Sequence, residues 1–505
     1  MKKIIVFIFS LIILSGCTKK LSAVTNNDIK IFLDGNEILF EENFPYIDDN
    51  KVLQFPLDSV SDIFHMNVTW DNDKLTAFII NDNKKISLRI GDNNLILNGK
   101  SLPMSSIVYK IDGEVFIPLQ SVLNVFEYET KWDDENKTFE IKTPPDKTQI
   151  GSNTFNFACN LANKLEHDYF FSPLSIKLGL AMLANGIDNE TKKQITDALK
   201  IENLDEYNHY VENYLSKIKN NDEVELNLGN SIWVNEDVLN DAALKKDFVS
   251  IIDNYFYGTV SKVNNQNAVE IINNWISEKT NNKIKNAVDS PDFLLSLINT
   301  IYFSQQWELP FNPKNNLQDN FTCADGSKII TDFMSKKDYY NYFENDAYKM
   351  ISLPLKNSDL SMYIVLPKSN DFSLNQIVFD NLEEKHVDVK IPIFKREFTM
   401  EDNLKKLLID LGMKNIFSGF SSNNMLENYD SDILCDKIVH KSFIDLNEYG
   451  VEAAASTLIM INKMSLPASD EIVEFYADKP FKYFIRDNSN GEILFLGDFS
   501  SIQNN

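Results

Sequence analysis

The residues able to do acid–base or covalent chemistry in this 505-residue chain are few and scattered. The five histidines are His65, His167, His209, His386 and His440, and none stands at ligand spacing from another. There is no Gly-x-Ser-x-Gly elbow, no His-Glu-x-x-His, no Walker loop and no dinucleotide-binding glycine fingerprint. Acidic residues abound, but no pair stands out as a general acid and base. Neither an enzyme nor a cofactor is the expectation. The stretch that does stand out is Asn447–Ser465, "NEYGVEAAASTLIMINKMS". Its alanines suit a helix, yet no polar/apolar face at helical spacing follows them. Read at a period of two, Val451, Ala453, Ala455, Thr457, Ile459 and Ile461 share one face, each small or apolar, while Glu452, Ser456 and Asn462 share the other. The chemistry on offer is that of a substrate: a latent strand followed by a peptide bond open to cleavage.

The rest of the chain must position that strand. With 43% hydrophobic and 12% aromatic residues the composition is that of a folded protein, and the length predicts two or three domains. A formal charge of -25 argues against nucleic acid or any other polyanion as a partner. Lys2 and Lys3 precede an apolar run from Ile4 to Leu14, a secretory signal too short to span a bilayer. Leu14-Ser15-Gly16-Cys17 then resembles the lipobox of bacterial lipoproteins. That resemblance implies a signal over 1–16, Cys17 as a lipidated first residue, a tether over 17–27, and a protein held by acyl chains alone on the outer face of the cell membrane. The remaining Cys159, Cys323 and Cys435 are odd in number and widely spaced, and read as small buried hydrophobes, not a disulfide framework.

Residues 28–142 contain an internal repeat: Pro56-Leu57, Phe64 and Trp70-Asp71 recur as Pro118-Leu119, Phe126 and Trp132-Asp133. Each unit reads as a strand, a short helix after Pro-Leu, a Trp-Asp turn and a second strand, and such units share a sheet or pack face to face. The run "IPLQSVLNVFEYETKWDDENKTFEI" resembles the copper amine oxidase N-terminal-like domain, which implies a spacer or wall-adhesion module. No metal site accompanies it, since His65 is alone. A linker over 143–151 carries Thr143-Pro144-Pro145. Beyond it, the pattern predicts helices at 153–166, 174–185, 189–199, 204–219, 267–280 and 401–410. Strands are predicted at 226–234, 294–303, 360–366, 387–394 and 492–498, with a hairpin turn at Asp487–Gly491.

Over 152–501 the chain resembles a serpin. The motifs are "FFSPLSIKLGLAMLANGIDNETKKQI" (Phe170–Ile195), "LINTIYFSQQWELPFNP" (Leu297–Pro313), "IVHKSFIDLNEYGVEAAAS" (Ile438–Ser456) and "ADKPFKYFIRDNSNGEILFLGDF" (Ala477–Phe499), in family order. The resemblance implies an α+β serpin fold with a main β-sheet, two smaller sheets, about eight or nine helices and an exposed reactive loop. It implies a monomeric inhibitor that is cut by a serine protease, keeps it as an acyl-enzyme, and inserts the cut loop into the main sheet. An inserted strand needs a small or apolar residue at every second position, which Asn447–Ser465 supplies.

By the same resemblance the hinge is Glu448, Gly450, Val451, Glu452, Ala453, Ala454 and Ala455. Ser172, Ser175, Asn299 and His440 form the shutter beneath the sheet, and Trp307 marks the point of first insertion. Val451 stands where the family usually has threonine. The hinge glutamate's usual lysine partner is missing, because Pro392 is followed by Ile393, leaving Lys390 or Lys395 as substitutes. Counting along the loop puts the scissile bond at Met464-Ser465, which suits an elastase-, chymotrypsin- or subtilisin-type pocket. A slip of one residue to Lys463 would suit a trypsin-like enzyme instead, and a papain-like cysteine protease is a further target class. The rival reading is a non-inhibitory serpin fold that serves as a surface binding protein.

Overall fold

The computed structural model describes residues 29–502, except 41–42, 65, 73, 82–83, 98, 127, 144–146, 222, 240–241, 286, 370, 380, 430 and 452–471. Cys17 and His65 therefore lie outside the described residues, as do Glu452–Ala455 and the Lys463–Ser465 region. The chain divides into two compact units, Met1–Pro144 and Pro145–Asn505.

In the first unit the helices Asp58–Phe64 and Leu119–Val125 follow the two Pro-Leu pairs. The strands that precede them, Leu53–Pro56 and Glu114–Pro118, pair antiparallel, so the two repeats share a sheet at that point. The hairpins that follow part company. Asn67–Asp71 and Thr76–Asn81 belong to a five-stranded sheet, whereas Glu129–Asp133 and Thr138–Lys142 join Lys30–Leu33. The Trp-Asp pairs end strands instead of making turns. The indole N–H of Trp70 donates to Asn72 Oδ1 at 2.8 Å and that of Trp132 to Asp134 Oδ1 at 2.6 Å, which fixes the turn just beyond each strand. Phe55, Val60, Phe64, Leu119, Val122 and Leu123 lie in one buried core.

The second unit opens with a helix, α1 (Lys147–Ala162), that starts inside the stretch read as linker and ends short of 166. The two prolines set the boundary by themselves, because nothing from Lys147 onward breaks a helix. Helix α2 (Pro173–Asn185) has Ser172 as its N-cap, accepting from the Ser175 amide at 3.0 Å, with Pro173 in the first turn. Helices Asn189–Leu199, Leu204–Lys219, α3 (Ala268–Lys279) and Asp402–Asp410 fall where the periodicity puts them. Helix Lys246–Phe256 was not among the expected elements, although Phe248, Ile252 and Phe256 mark its buried stripe. The 387–394 run proves to be two strands in different sheets, Glu383–Pro392 and Phe394–Met400, because Pro392 has no N–H to continue a ladder. The hairpin after Asp487 turns with Gly491 at φ 79°.

The main sheet contains β1 (Glu225–Asn235), β2 (Thr259–Val263), β3 (Leu295–Gln306), β4 (Phe394–Met400), β5 (Cys435–Asn447) and β6 (Gly450–Val451), in the order β2-β1-β3-β6-β5-β4. Helix α2 packs beneath β1 and β3. Helix α3 covers part of the other face, where Ala268, Ile272 and Ile276 meet Trp233, Ile298 and Val439. A second, nine-stranded sheet carries the closing hairpin Phe481–Asp487 and Ile493–Phe499, and ends at Val473–Tyr476, the strand that receives the chain after the reactive segment.

Helix α2 is buried through Ala184, and this includes Lys177. Its ammonium donates to Thr154 Oγ1 at 2.8 Å and lies over the Tyr207 ring, while Glu492, equally buried, accepts from the Tyr210 hydroxyl at 3.3 Å. Burial pushes the lysine's pKa down and the glutamate's up, and each charge opposes the other's shift. Lys177→Met alone therefore leaves a buried carboxylate without this counter-charge, and should destabilise by about 3 kcal/mol in urea titrations. The double variant Lys177→Met/Glu492→Gln should recover most of that loss.

Candidate functional site

The main sheet is not continuous between its middle strands. β3 and β5 pair in parallel from Leu295 with Cys435 up to Ile301 with Ser442, and there the pairing stops. Above that level the chain turns back at Glu448-Tyr449 and β6 enters between them, antiparallel to both. Val451 faces Gln305 and Leu446, and Gly450 faces Gln306 and Asn447. The offset between facing residues of β3 and β5 is 141 at Gln305/Leu446, and again 141 at Ile301/Ser442 and Ser296/Lys437. The two strands thus keep one register above and below the point where they separate. Val451 is 2% exposed and belongs to the core cluster that also holds Phe303, Ile301, Ile444, Leu446, Leu297 and Ile438. The face predicted from the alternation is the core face at Val451.

A short segment clamps the turn that delivers β6. Trp307, 2% exposed, donates its amide to the Tyr449 carbonyl at 2.9 Å and its indole N–H to the Asn447 carbonyl at 3.0 Å. The Phe311 amide donates to the Glu448 carbonyl at 2.9 Å. The Glu448 carboxylate takes a short hydrogen bond from the Asn316 amide. Neither candidate lysine substitutes: Lys390 pairs with Asp319 at 2.8 Å and Asp478 at 3.5 Å, and Lys395 pairs with Asp445 at 2.6 Å. Asn316 was not among the residues singled out, and nothing in its immediate sequence, a polar loop after Pro313, marks it.

Beneath the paired part of the gap, the four residues read as a shutter come together. The Ser172 amide donates to His440 Nε2 at 3.0 Å. Asn299 Nδ2 donates to the Ser175 carbonyl at 3.3 Å, and to Asn230 Oδ1 at 2.8 Å, which also accepts from the Ser175 hydroxyl at 3.1 Å. Asn230 joins them unannounced; its signal is a polar residue within a strand whose neighbours are buried. Gly179 makes room for Asn299, since a Cβ there would lie 2.1 Å from the Asn299 amide nitrogen. His440 is buried and its pKa is pushed down to about 3 by desolvation, so the ring is neutral. With Nε2 accepting, the proton sits on Nδ1, which has no partner among the described residues; the same holds for Asn230 Nδ2 and Thr300 Oγ1. His440 and Thr300 lie on β5 and β3, the strands that would have to part, and Asn230 lies on the neighbouring β1.

Among the described residues no group of three or more His, Cys, Asp or Glu side chains is placed to hold a metal ion, and no helix is long and apolar enough to cross a membrane. Cys159, Cys323 and Cys435 are buried free thiols.

A family model described as serpin (serine protease inhibitor) matches residues 152–502, and one described as copper amine oxidase N-terminal domain matches residues 32–141. An uncharacterized serpin-like protein of Methanosarcina acetivorans is 32% identical over 375 residues, covering 69% of this chain and 85% of its own. Another, from Thermococcus kodakarensis, is 31% identical over 378 residues, 71% of this chain and 86% of its own. Among solved structures, the native state of the thermophilic serpin Tengpin superposes with a TM-score of 0.64 at 28% identity, covering 70% of this chain and 94% of that one.

Two measurements follow from this geometry. The His440 pKa is lower in the folded than in the unfolded chain, so its share of stability is complete above the unfolded value of 6.5 and is lost as pH falls toward about 3. His440→Asn should flatten the acid side of the stability profile by about 4 kcal/mol between those limits relative to the parent, read as urea midpoints against pH. Asn316→Leu should leave the Glu448 carboxylate unheld, and speed amide exchange at Gly450 and Val451 about tenfold while the Ile493–Phe499 strand is unaffected.

Proposed function

The chain belongs to the serpin family, and from that premise we propose that it is an inhibitory member that traps a serine protease by letting its cleaved loop slide into the gap between β3 and β5. The observation that carries this reading is the β6 register. Carried down the gap, it sets Ala453 between Phe303 and Ile444, Ala455 between Ile301 and Ser442, Thr457 between Asn299 and His440, and Ile459 between Leu297 and Ile438. All of these β3 and β5 partners are buried. The alternate residues would meet the other face. Ser456 falls beside Thr300 and Lys441, and Leu458 falls beside Ile298 and Val439, where helix α3 already covers the sheet. The apolar Leu458 would thereby meet an apolar surface.

Insertion exchanges one parallel ladder for two antiparallel ones. A net gain of about a dozen backbone hydrogen bonds, each worth about 1 kcal/mol, releases on the order of 10 kcal/mol. A resting state that withholds such a gain is protected by a barrier, not by its depth. Leu295, at the foot of β3, is level with Ile461, so a scissile bond at Met464-Ser465 leaves a protease acylated on Met464 at the lower end of the sheet. Methionine favours a protease with a hydrophobic pocket; Lys463 as the cut residue would favour a trypsin-like one. The N-terminal charge, apolar run and Leu14-Ser15-Gly16-Cys17 support lipid anchoring on the outer membrane face, with the 28–142 module as spacer or adhesin. The non-inhibitory alternative would be favoured by a bulky or charged residue on the core face of the hinge, where Val451 stands.

Incubation with elastase, subtilisin and trypsin, followed by a denaturing gel and the mass of the released peptide, tests both trapping and the cut site. A covalent complex and cleavage after Met464 are expected. Val451→Arg should convert the inhibitor into a plain substrate, with complex formation reduced at least ~100-fold, because the sheet must bury an unpaired guanidinium at the Gln305/Leu446 level. Covalent complexes formed by that variant at the parent's rate would rule out hinge insertion.

A further inference from the structure

The first rung of the gap is apolar on two of its three strands. Val451 and Leu446 lie in the core, and the third residue at that level, Gln305, shares their side of the sheet and is 2% exposed. Its carboxamide Nε2 donates to the Lys356 carbonyl at 2.8 Å and to Ser358 Oγ at 2.8 Å. The carbonyl can only accept, which fixes the end of the carboxamide that points there. Lys356 and Ser358 sit in the turn between Tyr348–Pro354 and Leu360–Pro367 of the nine-stranded sheet, closed by the Leu355 amide on the Leu360 carbonyl at 3.0 Å. Backbone contacts continue the junction: the Lys356 amide donates to the Gln306 carbonyl and the Glu308 amide to the Pro354 carbonyl, each at 2.9 Å. Other elements hold the turn in its place. Asn221 Nδ2 donates to the Asn357 carbonyl at 3.0 Å, Lys217 pairs with Asp359 at 2.8 Å, and the Asn488 amide donates to the Asp359 carbonyl at 2.9 Å. Gln305 differs from an ordinary stabilising contact in one respect. Its Oε1 is buried with no partner among the described residues, a cost that an apolar side chain of the same length would not carry.

We propose that Gln305 is a positioning residue for the seat of Val451. Its carboxamide ties the upper end of β3 to the 355–360 turn, so that the first rung holds its width while β3 and β5 part below it. The role needs a donor on a side chain of this length, because both atoms that Nε2 meets accept from it. Trp307 and Phe311 grip the turn that delivers β6, whereas Gln305 fixes the strand with which β6 must pair. The tie itself is a property of the resting molecule. Its consequence, that insertion starts from a seated Val451 and so favours trapping over release, rests on the proposed function above.

The test uses the full chain and the change Gln305→Met, which nearly keeps the volume and removes both donated bonds. Amide exchange at Gly450 and Val451 should quicken about tenfold, while Leu297–Ile301 of the paired ladder exchanges as in the parent. The urea midpoint should change little, because the unpaired acceptor lost with Gln305 offsets the lost donors. Ser358→Ala removes one of the two contacts and should quicken the same two amides about threefold, with no further gain when added to Gln305→Met. Unchanged exchange at Gly450 and Val451 in Gln305→Met would show that the side chain only fills space. A lower urea midpoint with faster exchange throughout the core would show that it only adds stability. Either result overturns the proposal. With elastase, subtilisin or trypsin, whichever the parent traps, Gln305→Met should raise the ratio of released to trapped enzyme a few-fold, and an unchanged ratio overturns the stated consequence. If the parent traps none of them, the proposed function fails, and the exchange result still decides the tie.

Discussion

The parallel pairing of β3 with β5 ends at Ile301 and Ser442, while both strands run on for five more residues, and that early ending governs the rest of the molecule. A parallel ladder is slightly weaker per residue than an antiparallel one. Here it is shut below and wedged open above by two residues of β6 that already have the antiparallel sense. Because one offset runs the full length of the gap, a strand entering behind β6 meets no change of register until the bulge near Leu295. The sheet is therefore a template with its first rung filled.

Two polar constructions hold this arrangement, and they act at different heights. At the top, Trp307, Phe311 and Asn316 grip the turn at 447–449 through its carbonyls and through the Glu448 side chain. Carbonyl contacts are indifferent to side-chain identity, so the grip depends on the path of the chain more than on a salt bridge. Lower down, Ser172, Ser175, Asn230, Asn299 and His440 knit helix α2 to the undersides of β1, β3 and β5. That lower network is incompletely satisfied, with polar atoms of His440 and Asn230 lacking partners among the described residues. Buried polar atoms left unpaired raise the energy of the closed sheet, and a strand that reached their level would change their surroundings.

Much of this was legible in the chain. The period-two face from Val451 onward is visible without any structure, and the core position of Val451 agrees with it. Helix α2 was readable from its periodicity over 174–185 and the closing hairpin from Gly491, while the Ser172 cap that starts the helix is a finding of the structure. What stayed hidden shares a physical cause: it depends on which distant segments meet. Asn316 is an ordinary loop residue until Glu448 is folded against it, and Asn230 is one polar residue in a strand until Asn299 faces it. Nothing in the local sequence marks Lys177 as buried; it is buried with Thr154 and Glu492, which arrive from two other elements. The split of the 387–394 run at Pro392 was readable from that proline alone, and the start of α1 at Lys147 from the absence of any breaker beyond Pro145.

The central claim is that the resting protein lies above a more stable form that a single backbone cut makes reachable. Cleaving the segment between Val451 and Val473 with an enzyme the protein does not trap, then heating cut and intact protein side by side, addresses it directly. The account requires the cut protein to melt on the order of 10–20 °C higher, although it has lost a peptide bond. A cut protein that melts at or below the intact one contradicts it.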